Sequence, residues 1–572
     1  MSQAQALLES IKEDVIAGPY PGFIPKYFPD LDLTMAKSIL KPGSAEATAS
    51  QAEKDLLKSP PRPEDVLGWL NAVYKLKHGT VGNRKWRSLP SSLPIMKDCT
   101  GLSLVLRHPA IDDRNWESTD LVCHAVGDAQ ASYPHSLSQL YSLARQVFIA
   151  QPLRFFLHGI LVCGDMVELW VFDHSGMYCT EPLYMNVEQD YVGFLSIVLC
   201  YAVKSEADLG IRPFADQDDH GAYIYVDSTD QRLYLEDEPF VDCDELFGAG
   251  IVCYRAKAKA EDSWSHVIKF KWRDSDDQPE EELLNLARER NVRGVVSLIH
   301  HAQVEETAML RCQIRHQRCR TLHQETVDKD LPEGILRYSQ EGRSYFTNRF
   351  LTRLVFSPLA RPLTDFNDTL ELLTVLRDAI RAHRSLLQDA NILHRDISAG
   401  NIVITNSSPR GMLIDLDHSA DLEIEQPVAG RIIGTKLFTA IGLLRLDAQT
   451  YRHDLESFLY LFLWVILCRG EEHLPAGSML KPWGEESRDG SAEAKMRDMQ
   501  EARFQMILDE FEPKYDCLKD VAWRLRAALF RPEEGELWLG TDTSKEGTDT
   551  IYDAMLAIFE EAIKGIDGTV SL

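Results

Sequence analysis

The sequence lacks any run of hydrophobic residues long enough to cross a lipid bilayer. The longest such run, 458–468, falls well short of the roughly 20 residues that a membrane-spanning helix needs. The first residues carry acids within their apolar pattern, unlike a signal peptide, and the final GTVSL is not a prenylation signal. We therefore expect an intracellular protein, cytoplasmic or nuclear, with no membrane partner.

Cysteine pairs and positive charge are also scarce. The 572 residues include 11 cysteines, an odd number without a CxxC pair, which argues against a disulfide framework. Asp and Glu outnumber Lys and Arg by 88 to 61, which gives a formal net charge of −27. Because a field of that sign repels polyanions, we expect no nucleic-acid partner. The length is enough for roughly two to four domains.

What the sequence does contain is a closely spaced set of residues typical of phosphoryl transfer. His394, Arg395 and Asp396 are followed by Asn401 and then, after a short apolar run, by Asp415. Such a transfer needs a carboxylate to accept the hydroxyl proton, an Asn for one magnesium ion and a second carboxylate for the magnesium that bridges the phosphates. The pattern predicts these roles for Asp396, Asn401 and Asp415, in that order.

Residues upstream match other parts of this chemistry. Gly248 and Gly250 precede a strand-like stretch, and glycines there let backbone amides approach phosphate oxygens. Cys253 stands where a third glycine is usual. In the next predicted strand, 266–272, Lys269 is expected to contact the α- and β-phosphates of ATP. The alternative is that Lys269 is an ordinary exposed strand lysine.

An acidic helix start follows, and one of its glutamates is expected to form an ion pair with Lys269. Glu280 is favoured because apolar residues at helical spacing hold it on the core face of the helix. Glu281 and Glu282 remain possible partners, with a solvated helix start as the alternative for the glutamates that do not pair.

The strand-like stretch 350–359 is predicted to run into the segment that joins two lobes. Backbone groups there, at Ser357 and Leu359, would hold the adenine of ATP. A long amphipathic helix over 368–387 follows and ends just before the catalytic stretch.

One further set of residues has the side chains of a candidate metal site. Cys312, His316, Cys319 and His323 could share one face of a helix, and zinc accepts such ligands. The pairs lack the usual zinc-finger spacings, and arginines are interspersed among them. A basic amphipathic helix or an insertion is therefore favoured over a metal site.

The segment after Asp415 continues with Leu-Asp, where Phe-Gly is common. In it, Asp421, Glu423 and Glu425 stand where a phosphorylated residue often sits. Our hypothesis is that these fixed carboxylates pair with Arg395 and order the segment without phosphorylation.

Several stretches resemble the fungal-type protein kinase family, and the resemblance covers about residues 100 to 530. It implies a bilobal protein kinase that uses ATP and Mg²⁺. It also implies Asp396 as the base, Asn401 and Asp415 as metal ligands, and Lys269 at the phosphates. Thr435 resembles the threonine that contacts this base in serine/threonine kinases. The stretches that carry the resemblance are 141–156, 169–176, 353–363, 393–402, 413–420, 434–440 and 453–460.

The sequence also departs from common kinase patterns. Ser398 stands where kinases usually have a catalytic-loop lysine, which removes a cation from the transferring phosphate and suggests a slow enzyme. Gly442 replaces the glutamate of the family's FMAIE motif, which would brace the activation segment. In the upstream unit, family members often carry an acid and a lysine in an E-x-K arrangement, reminiscent of a nuclease-like fold. The matching strand here, around His124, lacks that arrangement, so no metal-nuclease chemistry is implied and this unit is expected to be structural or regulatory.

These observations predict an α+β protein with a kinase-like domain of two lobes, the smaller rich in β-strands and the larger helical. A smaller α+β domain precedes it. The expected divisions are a helical or irregular region over 1–95, the α+β domain over 96–235, the kinase-like domain over 236–530, and a loop with one helix over 531–572.

The predicted function is transfer of the ATP γ-phosphate to Ser or Thr hydroxyls of a protein substrate. Asp396 acts as base, with Arg395, Ser398 and Thr435 beside it in the catalytic centre. The main alternative is a pseudokinase that binds ATP or serves as a scaffold. A small-molecule phosphotransferase shares the Asp–Asn–Asp set, but Thr435 and the long helical C-terminal part weigh against it. The sequence indicates neither the substrate's identity nor the oligomeric state.

Overall fold

A computed structural model gives the structure of the protein. The residues it describes are 16–17, 19–20, 22–41, 57, 59–62, 64–76, 84–96, 101–107, 115, 117–127, 133–226, 231–242, 247–258, 263–312, 320–321, 337–338, 347–408, 410–468, 473–485, 487–533 and 536–570.

The first sheet has eight strands in the order β1-β7-β6-β5-β4-β3-β2, with β8 beside β6. The strands are β1 (Ile16–Ala17), β2 (Lys85–Ser88), β3 (Leu102–Arg107), β4 (Leu121–Val126), β5 (Phe156–Cys163), β6 (Met166–Asp173), β7 (Gly176–Cys179) and β8 (Leu183–Tyr184). Its helices are α1 (Phe23–Tyr27), α2 (Leu33–Leu40), α3 (Val66–Leu76), α4 (Tyr133–Ala150) and α5 (Glu188–Tyr201). We call these strands and helices the first-sheet unit.

Helices cover both faces of the first sheet. Alternate residues of a strand point to opposite faces, so Leu161 packs with α4 on one side, whereas Ile160 packs with the core that contains α3 and α5 on the other. As a result β5 is buried along its whole length. Strand β2 lies N-terminal to residue 96, so the first sheet draws on the region predicted as helical or irregular.

The second sheet also has eight strands, in the order β15-β18-β14-β13-β11-β10-β9, with β12 beside β13. The strands are β9 (Asp216–Asp218), β10 (Gly221–Tyr225), β11 (Arg232–Leu235), β12 (Val241–Asp242), β13 (Val252–Ala258), β14 (His266–Asp274), β15 (Ser297–Glu306) and β18 (Arg349–Ser357). The helices α6 (Glu280–Glu289) and α7 (Thr307–Leu310) flank it, and β16 (Arg320–Thr321) pairs separately with β17 (Arg337–Tyr338).

The sequence-based boundary at residue 236 does not coincide with the start of this sheet. Strands β9 to β11 precede the boundary, yet β11 pairs with β13, with Leu233 opposite Ala258. Such antiparallel pairing over a distance leaves no local mark in the sequence, which is why the prediction divided the sheet. Apolar residues of both sheets, such as Ile160 and Ile268, belong to one shared core.

A helical region follows the second sheet. Its helices are α8 (Thr369–Ala390), α9 (Ile441–Leu444), α10 (Tyr451–Cys468), α11 (Pro482–Glu485), α12 (Arg488–Asp498), α13 (Glu501–Asp509), α14 (Lys519–Leu529) and α15 (Lys545–Val570). Its short strands are β19 (Arg361–Pro362), β20 (Ile392–Leu393), β21 (Ile402–Ile404), β22 (Gly411–Leu413), β23 (Ala420–Asp421), β24 (Pro532–Glu533) and β25 (Glu536–Leu537).

The apolar helix α10 forms the centre of the helical region, with all but one of its residues buried. The last helix, α15, packs on α8, where Tyr552 hydrogen-bonds His383 at 2.6 Å. The predicted C-terminal loop and helix therefore complete this core and do not stand apart from it. In the part of the chain that the structure describes, no helix combines the length and apolar character needed to cross a membrane.

Most predicted elements occur with small shifts at their ends. The helix expected over 368–387 is α8, and the strand expected over 350–359 is β18. Three of the four residues named as a candidate zinc site lie outside the described residues. Of those four, Cys312 is described; its backbone carbonyl accepts a bond from Lys26 Nζ at 2.8 Å.

Candidate active site

Lys269 of β14 stands at the centre of a buried ion-pair network. Its Nζ lies 3.0 Å from Glu280 Oε2, 2.9 Å from Asp415 Oδ1 and 2.8 Å from Asp417 Oδ2. Burial alone lowers the pKa of Lys269, but Asp415 and Glu280 outweigh it, so the pKa is raised. Burial likewise favours neutral Asp415, whereas Lys269 outweighs it and lowers the pKa of that carboxyl. Both groups are therefore charged in the neutral pH range.

Of the three glutamates left open by the sequence, Glu280 is the one whose carboxylate reaches Lys269. Glu280 is the first residue of α6, and Leu283, Leu284 and Ala287 bury the same face of that helix. Its side chain is fully buried, and its other oxygen accepts the Leu416 N–H at 3.3 Å. Glu280 thus connects α6, β14 and the segment after β22.

A second lysine and a third carboxylate belong to the same network and were missed from the sequence. Lys271 follows Lys269 by two residues and so lies on the same face of β14. Lys271 Nζ is in close contact with Asp417 Oδ1 and lies 3.7 Å from Glu280 Oε2. Lys271 is only 4% exposed. The departure from Phe-Gly at position 417, together with the second lysine, was the signal that could have indicated this pair.

Asp396 is held between two of the predicted site residues. Its Oδ1 accepts both the backbone N–H of Thr435 at 2.9 Å and the Thr435 hydroxyl at 3.0 Å. Its Oδ2 accepts Asn401 Nδ2 at 2.9 Å. The structure therefore brings together Asp396, Asn401 and Thr435, which are up to 39 residues apart in sequence. Ser398 is nearly buried in the loop between Asp396 and Asn401.

Asp454 of α10 anchors the backbone of this loop. Its Oδ2 accepts the Arg395 N–H at 2.9 Å and lies 2.9 Å from Nε2 of His383. Burial would raise the pKa of Asp454, but the bonds from His383 and from the Arg395 N–H outweigh it and lower the pKa. This anchor supports a backbone φ of +68° at Arg395, a conformation that costs a non-glycine residue about 1–3 kcal/mol.

The Arg395 side chain holds the activation segment. Its Nη1 lies 2.9 Å from Glu425 Oε1, and its Nε and Nη2 donate to the carbonyls of His418 and Ser419. Of the three carboxylates proposed as its partners, Glu425 makes the contact. The Asp421 carboxylate instead accepts the N–H of Glu423. Arg395 thus binds one fixed carboxylate and two carbonyls.

Gly248 and Gly250 lie against the first-sheet unit. The Gly248 N–H points to the His174 carbonyl at 3.4 Å. Gly250 has a φ of +49°, and a Cβ at this position would lie 2.7 Å from Cε1 of His174. The glycine at 250 is therefore required both by the backbone conformation and by lack of space.

The residues expected to hold adenine lie at the end of β18. Ser357 is opposite Ser297 of β15. The Leu359 N–H donates to the Ser265 carbonyl at 2.9 Å, so in this conformation that donor is already engaged. The adenine-binding role of Leu359 stays a prediction, and it requires this bond to open.

Gly442 lacks the expected bracing carboxylate, but Glu456 of α10 supplies one from another direction. Glu456 Oε1 accepts the Ile441 N–H at 2.6 Å and the Tyr460 hydroxyl at 2.7 Å. Its Oε2 lies 2.6 Å from Arg452 Nη1, and both side chains are at most 1% exposed. Burial favours neutral Glu456, yet Arg452 outweighs it and lowers the pKa. No role was assigned to Glu456 from the sequence.

A comparison with protein-family models matches residues 104–466, more than half of the chain, to the family described as "Fungal protein kinase". The chain belongs to the fungal protein kinase family. The resemblance noted from the sequence is thereby confirmed. A search of curated proteins finds no match.

Membership of the fungal protein kinase family implies a kinase-like protein and, in general, use of ATP with a divalent metal. Asn401 uses its Nδ2 for bonds to the carbonyl and Oδ2 of Asp396, which leaves its amide oxygen as an acceptor. Asp415 adds a carboxylate. Hard oxygen donors of this kind suit Mg²⁺, so the residues fit the cofactor.

The clustered carboxylates of this site are already paired with lysines. Glu280, Asp415 and Asp417 each bring one oxygen to within 4.8 Å of the others. Lys269 and Lys271 contact carboxylate oxygens of the same three residues and offset two of the three negative charges. A divalent cation at Asp415 would therefore compete with Lys269 for its carboxylate.

Proposed function

We propose that the chain is an active protein kinase of bilobal architecture that transfers the ATP γ-phosphate to Ser and Thr hydroxyls of protein substrates. The observation that carries this proposal is the pair of hydrogen bonds from Thr435 to Asp396, beside the Lys269–Glu280–Asp415 network. The second sheet would form the small lobe, and the helical region would form the large lobe.

Each residue has a role that follows from its contacts. Asp396 accepts the proton of the incoming hydroxyl, and its two oxygens are oriented by Thr435 and Asn401. Lys269, fixed by Glu280, contacts the phosphates. Asn401 and Asp415 would hold Mg²⁺, which when bound offsets charge on the phosphate oxygens. Transfer breaks the bond from the γ-phosphorus to the bridging oxygen and forms one to the substrate oxygen.

The acceptor class is argued from Thr435. Its hydroxyl and its N–H both bind the oxygen of Asp396 on which a hydroxyl proton would be received. This contact resembles the one made in serine/threonine kinases. We therefore infer phosphoserine and phosphothreonine as the products.

Transfer of radiolabel from [γ-³²P]ATP to casein tests the proposal, with wild type compared with Asp396→Asn. Removing a general base lowers rates about 10²–10⁴-fold, so we expect a loss of kcat in that range with ATP affinity nearly unchanged. Asp389→Asn, a change of the same type at an exposed aspartate, is the matched control and should keep full activity. Acid hydrolysis of the product should yield phosphoserine and phosphothreonine.

Three outcomes contradict parts of the proposal. Equal incorporation by wild type and Asp396→Asn would rule out the assigned base. Wild-type protein that binds ATP without transfer would be the pseudokinase of the alternative interpretation. Phosphotyrosine as the main product would refute the acceptor class while leaving the kinase activity in place.

A further inference from the structure

The turn between β6 and β7, residues 174–175, projects from the first sheet and packs against the second. Asp173 at its start forms a buried, two-bonded ion pair with Arg311, at 2.7 Å to Nε and 2.6 Å to Nη2. Ser175 Oγ donates to Thr307 Oγ1 at 2.9 Å. Thr307 begins α7 and Arg311 directly follows it, so both contacts attach the turn to the second sheet. Charge-assisted bidentate pairs are among the strongest and most geometrically specific hydrogen bonds.

His174, between these two contacts, meets the glycine segment 247–250. Its ring stacks on Trp272 of β14, with centroids 4.9 Å apart and planes at 19°. Its carbonyl receives the Gly248 N–H at 3.4 Å. Its ring also occupies the space that a Cβ on Gly250 would need. His174 therefore contacts the glycine segment from both its backbone and its side chain.

Residues of the glycine segment contact both the first-sheet unit and β14. The Phe247 ring lies 5.4 Å from that of Tyr141 on α4, and the Ala249 carbonyl accepts the Trp272 N–H at 2.6 Å. Trp272 follows Lys271, whose side chain is on the opposite face of β14, with that of Lys269. The segment thus lies between the first-sheet unit and the strand that carries the two lysines of the active site.

From these contacts we propose that the first-sheet unit positions the phosphate-covering segment of the kinase, and that His174 is the positioning residue. This inference rests on the proposed function, in which segment 247–250 covers the phosphates of ATP. Backbone amides bind phosphate more tightly when they are fixed in place before the ligand arrives, because less conformational freedom is then lost on binding. His174 fixes the segment by accepting the Gly248 N–H and by packing against Gly250 and Trp272, so the neighbouring amides of the segment, and not that of Gly248, would meet phosphate. The unit then acts in cis on ATP binding, and not on the proton transfer at Asp396.

The test is the full-length chain with His174→Ala, measured for ATP KM and kcat on casein. The change removes one aromatic contact and the wall beside Gly250. We expect KM for ATP to rise by about tenfold, the upper end for losing one aromatic contact, with kcat within twofold. His174→Phe keeps a ring against Trp272 and should recover most of the lost affinity. A structural defect alone would lower the amount of folded enzyme, and therefore the apparent kcat, and would leave KM in place.

A double variant tests the direct contact and remains informative if His174→Ala folds poorly. Gly250→Ala collides with the His174 ring, so it should raise KM strongly in the wild-type background. In the His174→Ala background that collision is absent and only the positive φ and a 3.3 Å approach to Trp272 remain, so the same change should raise KM by a smaller factor. His158→Ala is the matched control, because His158 is buried in the first-sheet unit with Tyr201 as its partner and has no described contact with segment 247–250. It should lower the thermal midpoint and leave KM unchanged.

The results separate this inference from the proposed function. No phosphotransfer by wild-type protein would refute the proposed function itself. An active wild type whose KM for ATP is unchanged, or lowered, by His174→Ala would refute the positioning role. Equal effects of Gly250→Ala in the two backgrounds would do the same, because the predicted contact would then carry no coupling.

Discussion

Glu456 offers a sharp test of how the chain supports its activation segment without a glutamate at position 442. Its carboxylate accepts the Ile441 N–H and the Tyr460 hydroxyl through one oxygen and pairs with Arg452 through the other. Glu456→Gln keeps the shape and can keep the two bonds to its first oxygen. It leaves Arg452, which is 1% exposed, as a buried cation without its carboxylate.

The expected loss follows from burial. Removing one partner of a buried ion pair costs about 3–5 kcal/mol, a large part of the 5–15 kcal/mol by which a typical domain is stable. The control is Asp553→Asn. Asp553 Oδ1 lies 2.6 Å from Arg384 Nη1, the same separation as in the buried pair, but its side chain is 69% exposed. Pairs of that kind contribute less than about 1 kcal/mol, so the contrast between the two variants measures the effect of burial.

The assay is urea unfolding followed by tryptophan fluorescence, together with native-state hydrogen exchange. Exchange is needed because a chain of more than one unit need not unfold in a single transition. We expect faster exchange at the Ile441 amide, because its acceptor changes from a charged carboxylate oxygen to a neutral amide oxygen, which forms a weaker hydrogen bond. Adding Arg452→Met to Glu456→Gln removes the unpaired charge and should restore about 2 kcal/mol or more. The role assigned to Glu456 would be refuted by a loss of unfolding free energy below about 1 kcal/mol for Glu456→Gln. It would also be refuted if the loss in the double variant equalled the sum of the losses in the two single variants.

Three other expectations concern charges in and around the site. Lys271→Met and Asp417→Leu should each lower the thermal midpoint by several degrees, because each removes the nearest partner of a largely buried charge while Asp417 keeps Lys269 and Lys271 keeps Glu280, and the double variant should recover part of the loss. Burial lowers the pKa of Lys495 to about 7, whereas a lysine in the unfolded chain titrates at about pH 10.4. Because the unfolded chain binds this proton more tightly, the free energy of unfolding should rise between pH 7 and 10. Urea unfolding at each pH should show this rise in the wild type and lose the Lys495 contribution in Lys495→Met. Glu425→Gln should lower kcat several-fold by freeing Arg395 while changing the unfolding free energy by under about 1 kcal/mol, and phosphatase treatment of the wild type should leave its kcat unchanged.

Local patterns predicted the parts of the site whose order in the chain carries the chemistry. The spacing of Asp396, Asn401 and Asp415 indicated three groups that the structure does bring into one region, together with Lys269. The choice of Glu280 over its neighbours followed from helical periodicity, because only that position shares a face with the apolar residues of α6. Such inferences succeed where a side chain's surroundings are set within one helix or strand.

Contacts between distant segments could not be predicted in this way. Lys271 and Asp417 are 146 residues apart, and a lysine two positions after another looks the same whether it faces solvent or a carboxylate. The pairing of β11 with β13 likewise depends on tertiary structure, which explains why the boundary at residue 236 divided the second sheet. His174 lies within a stretch that resembles the family, and no local pattern marks its contact with a segment that begins to meet it 74 residues further along the chain.

The departures from the common kinase pattern therefore argue less against activity than they did in the sequence alone. At Gly442, a Cβ would lie 2.6 Å from His453 Nε2 and 2.9 Å from an Asp447 oxygen, so a glutamate there would displace groups that already fill the space. Ser398 removes a lysine from the catalytic loop, and the additional buried lysine of the site, Lys271 on β14, is paired with Asp417. The packing at Gly442 accounts for the missing glutamate, so that departure does not by itself favour a pseudokinase, and the wild-type kcat decides between the two interpretations.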